Sequence, residues 1–206
     1  MFITFEGGEG SGKTTQVRLL DEHLRQLGYS SVTTREPGGT PLGEKLRALL
    51  LDSNSQIEPR AELLLYAADR AQHVATLIRP ALEAGKIVIS DRYVDSALAY
   101  QGYGRGLDLT ALHHIMAFAT DGLQPDLTFF LDLDPQQGLA RRAQDGEADR
   151  FQAQALAFHQ RVRAGYLALI AAEPARWVRI DAAQPLTVVQ GTILAAVQER
   201  LHLLRR

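Results

Sequence analysis

Phe2-Ile3-Thr4-Phe5-Glu6-Gly7-Gly8-Glu9-Gly10-Ser11-Gly12-Lys13-Thr14 opens the chain, and its reading decides the fold. Phe2 to Glu6 is a short β-branched and aromatic run with no turn former in it, so it reads as a strand. Gly7 to Thr14 then matches the phosphate-loop pattern of Gly, four residues, Gly, Lys and a hydroxyl residue, and a helical pattern from Lys13 to Leu27 follows directly. Glycines let the backbone wrap until successive N–H groups point inward at an anion, and the helix adds the positive end of its dipole. Gly7, Gly8, Glu9, Gly10, Ser11, Gly12, Lys13 and Thr14 are therefore expected to cradle ATP. Lys13 should reach the β- and γ-phosphates, and the Thr14 hydroxyl should ligate Mg²⁺.

Further apolar runs of strand length follow at Ser31 to Arg35, Ile87 to Asp91, Leu127 to Asp132 and Trp177 to Asp181. Helical patterns lie between them, at about Leu42 to Leu50, Arg60 to Ala84, Val94 to Gln101, Leu109 to Asp121, Pro135 to Arg142, Phe151 to Ala172 and Pro185 to Leu204. Strands alternating with helices predict an α/β fold with right-handed crossovers and a mostly parallel sheet covered on both faces. Ligands of such sheets bind at the carboxyl ends of the strands.

The 206 residues fit one domain, and no linker or internal repeat divides them. A 46% hydrophobic content with no long apolar run points away from a membrane protein. A net charge of −2 offers no basic field for nucleic acid. Without cysteine there is no disulfide framework, and the start of the sequence carries no secretory pattern, so a cytoplasmic setting is expected. Lys13, Lys45 and Lys86 are the only lysines among 22 basic residues, which makes a lysine inside a phosphate motif less easily accidental.

Glu9 is unusual in an anion cradle, because a carboxylate facing phosphates would repel them. It should point to a sugar hydroxyl of a second substrate or to water around the metal. Asp91 and Arg92 end the Ile87 strand at the ligand edge of the sheet, where Asp91 can organise the Mg²⁺ shell and Arg92 can hold a phosphate. Arg35-Glu36-Pro37-Gly38-Gly39-Thr40 is a turn after the second strand, Arg47 lies on the next helix, and Tyr66 and Arg70 share a helix face at i, i+4. The six histidines show no metal-ligand spacing and read as structural or solvent-facing. Ala143 to Asp149 is a polar interruption between helices that reads either as a surface loop or as part of a lid over about residues 137–150. The phosphate loop holds no arginine, so such a lid would deliver one. Arg150 ranks first because a cation at the start of a helix opposes the dipole and so lacks a structural reason to be there. Arg142 ranks ahead of Arg141.

With these residues in hand the sequence resembles the bacterial thymidylate kinases over nearly its whole length. The match runs in order through Phe5 to Thr15, Arg35 to Thr40, Asp91-Arg92-Tyr93, Ala99-Tyr100-Gln101-Gly102, Asp149-Arg150-Phe151 and Ile180-Asp181-Ala182. The resemblance implies a P-loop nucleoside monophosphate kinase fold with about five parallel strands and a lid. It also implies a homodimer, Mg-ATP as donor and dTMP as acceptor. Tyr66 would stack on thymine, and Arg70 and Gln101 would bond the base edge. Arg47 and Arg92 would hold the dTMP phosphate, Glu36 and Glu9 would lie by the sugar and phosphate end, and Tyr100 would crowd the sugar 2′ position. Lys13, Arg92, Arg142, Arg150 and Glu9 make up the expected catalytic set, with Thr14 and Asp91 at the metal. Two positions depart from the family pattern: Ala97 replaces a frequent polar contact to the base, and the lid is poorer in arginine.

Because the second pKa of a phosphate monoester is about 6, the acceptor oxygen is already ionised at pH 7 and needs no general base. Rival readings are a P-loop kinase for another nucleotide or nucleoside, and a GTPase-like switch. Donor-only Arg70 argues against cytosine, and no lysine lies in an Asn/Thr-Lys-x-Asp guanine-reading run.

Overall fold

The computed structural model describes residues 1–143, 150–152 and 154–204. Five strands, β1 (Phe2–Glu6), β2 (Ser31–Arg35), β3 (Ile87–Asp91), β4 (Leu127–Asp132) and β5 (Trp177–Asp181), form one parallel sheet in the order β2-β3-β1-β4-β5. All five coincide with the runs read from the sequence. β1 and β4 are buried along their whole length, whereas the edge strands β2 and β5 expose alternate residues.

Period-two alternation sorts the strand residues between two apolar layers. Ile3, Phe5, Ile89, Phe129 and Leu131 face α1 (Lys13–Gln26) and α9 (Leu186–Leu204). Phe2, Val88 and Phe130 face the other layer, which holds α3 (Pro59–His73), α6 (Leu109–Thr120) and α8 (Leu156–Ala172). No described helix is long and apolar enough to cross a membrane.

Helix starts follow local chemistry. α2 (Pro41–Leu51) is capped by Thr40 and α7 (Pro135–Arg142) by Asp134, each with proline at the first helical position. Three helical readings are corrected. The pattern from Arg60 to Ala84 is interrupted by a π-helical turn at Val74–Ile78 before α4 (Arg79–Glu83), and Val94 to Gln101 divides into α5 (Val94–Ala97) and a π-helical segment at Leu98–Gly104. The helix expected from Phe151 begins instead at Leu156, so Arg150 does not stand at a helix start. The dipole argument that ranked Arg150 first therefore lapses.

The phosphate loop touches α7 backbone to backbone. A Cβ at Gly10 would meet the Gly138 carbonyl oxygen, and a Cβ at Gly138 would meet that of Glu9. Gly191, on the exposed face of α9, has nothing within 4 Å of such a Cβ. The two helical glycines thus make a matched pair. Gly191→Ala should stabilise the fold by roughly 0.5–1 kcal/mol through helix propensity alone. Gly138→Ala should instead lose about 1–3 kcal/mol to overpacking despite the same propensity gain. Urea unfolding of the two variants checks both signs.

Candidate active site

At the carboxyl edge of the sheet lies a cavity of about 760 Å³, within the range of small-ligand sites. Its floor is the phosphate loop. Gly10 and Gly12 hold φ of 65° and 91°, the left-handed region that glycine enters without strain, and Gly12 caps α1. Lys13 is only 7% exposed, and its Nζ donates to the carbonyl oxygens of Gly8 (2.8 Å) and Gly7 (3.2 Å). The side chain is thereby held along the loop it would serve.

β3 delivers two groups to the same edge, and they point to different partners. Asp91 accepts the Thr14 hydroxyl at 2.6 Å. This sets two hard oxygen donors side by side, a set that suits Mg²⁺, which takes one or two protein oxygens and completes its shell with phosphate and water. Arg92 has φ of 76°, unusual for a residue with a side chain, and its guanidinium turns back over the loop. It donates to Gly7 O (3.1 Å), Tyr100 Oη (3.1 Å) and Glu9 Oε1 (2.6 Å), and it lies 4.9 Å from the Tyr100 ring centre.

Glu9 also accepts the Tyr100 hydroxyl at 2.9 Å. The carboxylate is thus anchored between a cation and a hydroxyl donor, as its sign requires. Burial would push its pKa up, but Arg92 and Lys13 outweigh that and hold it near about 2.

Farther from the loop, Glu36 is fully engaged: Oε2 accepts Arg70 Nε at 2.6 Å and Oε1 pairs with His73 Nδ1 at 2.9 Å. Burial opposes ionisation of Glu36, yet Arg70 and His73 lower its pKa. Arg70 is 1% exposed, and its remaining nitrogens meet Tyr93 O and Met116 Sδ, so it lines the cavity as a clamped group. His73 Nε2 meets Thr34 Oγ1 at 2.6 Å, which makes this histidine a link between α3 and β2. Arg47 donates to Pro37 O at 2.9 Å.

Every residue expected to bind the acceptor lines this one cavity: Glu36, Arg47, Tyr66, Arg70, Arg92, Tyr100 and Gln101. So do Thr14, Asp91, Arg142 and the divergent Ala97. Arg150 does not. It is 8% exposed, with Nη1 on Glu62 Oε2 (2.7 Å), Nε on Leu50 O (2.9 Å) and its guanidinium over the Phe151 ring. Of the expected lid, residues 144–149 lie outside the described residues.

Sequence reasoning missed Phe151, whose ring approaches Tyr100 (5.7 Å) and Tyr66 (6.4 Å) at the cavity wall. It also missed Glu62. A signal existed, because Glu62, Tyr66 and Arg70 recur every four residues and so share a face of α3.

A parallel sheet whose first strand runs into this loop, with a Thr-Asp pair and two arginines at one edge, defines a P-loop phosphotransferase for small phosphorylated substrates. The sequence pattern of the family described as thymidylate kinase matches residues 5–193. The thymidylate kinase of Gloeobacter violaceus is 56% identical over 98% of this chain and 96% of the relative. That of Deinococcus radiodurans is 53% identical over 98% of each. A crystal structure of thymidylate kinase from Ehrlichia chaffeensis superposes with a TM-score of 0.78 at 37% identity, covering 96% of this chain and 98% of that one. The chain belongs to the thymidylate kinase family, and its activity is a phosphoryl transfer.

Burial, and next the charge of Arg92, push the Lys13 pKa down to about 8, against the partial opposition of Asp91 and Glu9. The ammonium is therefore charged below that pH and loses its proton above it. A bound polyphosphate favours the charged form, so binding above pH 8 must draw a proton from solution. Calorimetry of Mg-ATP binding in buffers of different ionisation enthalpy should show uptake of about one proton at pH 9 and almost none at pH 7. Lys13→Met should abolish the uptake.

Proposed function

We propose that this chain transfers the γ-phosphoryl group of ATP to the phosphate of dTMP, giving dTDP and ADP, a step of dTTP synthesis in the cytoplasm. The observation that carries the reading is that one cavity is lined by the phosphate loop, by Arg47 and Arg92, and by Tyr66, Arg70 and Gln101. These three groups suit donor phosphates, acceptor phosphate and base respectively. ATP phosphates would lie on the loop, where Lys13 exchanges its carbonyl partners for phosphate oxygens. Mg²⁺ fits beside Thr14 and Asp91 and, when bound, neutralises phosphate charge.

The acceptor phosphate would sit at Arg92 and Arg47. Both are already anchored by protein oxygens, so little side-chain freedom remains to be lost on binding. Glu9 and Tyr100 orient the Arg92 guanidinium. Catalysis is then alignment of two polyanions together with preorganised positive charge, and no proton need be removed from the acceptor. Arg141 and Arg142 at the end of α7 both line the cavity, and Arg142, nearer the polar segment that follows, is the arginine proposed to serve the transferring group. The buried pairing of Arg150 supports a role in holding the far end of the lid in place of contact with ATP. A homodimer belongs to the same proposal, supported by the exposed Phe118 on α6 and Leu64 on the neighbouring α3.

Coupled ADP release across deoxynucleoside monophosphates tests the reading. dTMP should be the best substrate. dUMP should follow it by a margin no larger than a methyl in an apolar pocket supplies, about 1–3 kcal/mol, and dCMP and the purine nucleotides should be poor. Lys13→Ala should lower kcat about 100-fold or more without unfolding the protein. Near-normal turnover in that variant would remove the phosphate-loop assignment. Arg142→Ala should lower kcat at least about tenfold while dTMP affinity stays close to wild type.

A further inference from the structure

Glu62 carries no part of the chemistry above, yet it is one of the most deeply buried charges in the fold, at 0% exposure. Three donors converge on it. Gln101 Nε2 lies 2.7 Å from Oε1, while Arg150 Nη1 (2.7 Å) and Arg105 Nη2 (3.2 Å) meet Oε2. Burying a carboxylate is costly unless cations and hydrogen bonds surround it, and here two arginines from separate segments are committed to doing so. An apolar residue would fill the site with less difficulty, so the charge has a consequence to be sought.

That consequence lies in Gln101. A carboxamide has a donor end and an acceptor end of nearly equal shape, and left alone it can present either. A carboxylate paired with arginines accepts only, so the Gln101 NH₂ must face Glu62. Its Oε1 is then the polar atom left for the cavity, which Gln101 lines beside Tyr66, Arg70 and Ala97, and no protein donor reaches that oxygen among the described residues. An acceptor fixed at this wall demands a donor from whatever lies against it. The N3–H of thymine or uracil supplies one. Cytosine N3 is itself an acceptor and would be repelled.

We infer that Glu62 is a specificity-determining positioning residue: by fixing the orientation of the Gln101 amide it selects pyrimidines that carry a proton at N3. The inference rests on the reading of the Tyr66, Arg70 and Gln101 wall as the base site. Glu62 does not touch the nucleotide and acts through Gln101. Arg105 and Arg150 hold the carboxylate in place.

The test compares kcat/KM for dTMP and 5-methyl-dCMP, which differ only in the base edge at N3 and C4. In Glu62→Gln the neutral partner can donate or accept, so the Gln101 amide is free to flip. The preference for dTMP should narrow about tenfold, the value of one hydrogen bond. The loss for dTMP should fall in KM, with KM for ATP unmoved. A role confined to stability predicts equal losses for both substrates, and that result, or an unchanged ratio, overturns the inference.

Gln101→Met separates the two levels. If it leaves the ratio unchanged, the base-site reading itself is wrong. If it narrows the ratio and Glu62→Gln does not, only the role of Glu62 is wrong. Should Glu62→Gln lack a cooperative melt, proton exchange of the Gln101 side-chain NH₂ in the wild-type enzyme decides. Protection supports donation to a buried carboxylate, and exchange as fast as that of a solvated amide overturns it.

Discussion

The ion pair between Arg92 and Glu9 joins the ends of two neighbouring parallel strands, and the site is built around it. Since β1 and β3 pair in register, their carboxyl ends emerge side by side, and the residue after β3 must turn sharply to avoid the loop that follows β1. Arg92 makes that turn in the left-handed region while its backbone N–H donates to Phe5 O at 2.9 Å. The turn brings its guanidinium back to Gly7 O, so one residue closes the sheet edge and supplies the cation beneath it. Asp91, one position earlier, is left facing Thr14. A change that relaxed this turn would separate the Thr14–Asp91 pair from the Arg92 guanidinium.

The same device recurs at the cavity and behind its wall. Arg92 rests on Glu9 and Arg70 on Glu36 within the cavity, and Arg150 rests on Glu62 outside it, each within 2.7 Å. Arginines gathered this closely would repel one another in a water-poor cleft, and a glutamate on each offsets that repulsion. The pairs also fix the forks of the guanidiniums, which a free side chain would lose entropy to order. Such a site trades some fold stability for geometry, because a buried ion pair seldom repays its desolvation in full.

Much of this was legible in the chain. The inner strands β1, β3 and β4 could be read because burial on both faces leaves apolar runs, the edge strands β2 and β5 from their β-branched residues, and the phosphate loop because its spacing answers to a single geometry. The π-helical segment at Leu98–Gly104 was not legible, since it depends on partners distant in sequence. Gly102 packs against Leu109, and Gly104 against Phe158. Arg150 was misplaced for the same reason, because its Glu62 partner lies 88 positions away and nothing local to Arg150 signals it. Glu62 itself could have been read from the Glu62, Tyr66, Arg70 stripe, had a buried acid been weighed alongside the aromatic and the base.

The glycine pair at Gly10 and Gly138 sets a mechanical limit on the donor side. Two backbones in direct contact cannot slide past each other as side chains can, so the root of α7 is fastened to the phosphate loop. Any movement of the end of α7 relative to the loop must hinge beyond Gly138. The four residues from there to Arg142 span only about 6 Å of helix. Arg142 is thus carried on a short arm from a fixed post, and it can sweep only a small arc at the cavity it lines. So short a stroke leaves the core unperturbed, because Arg142 can move without undocking a helix.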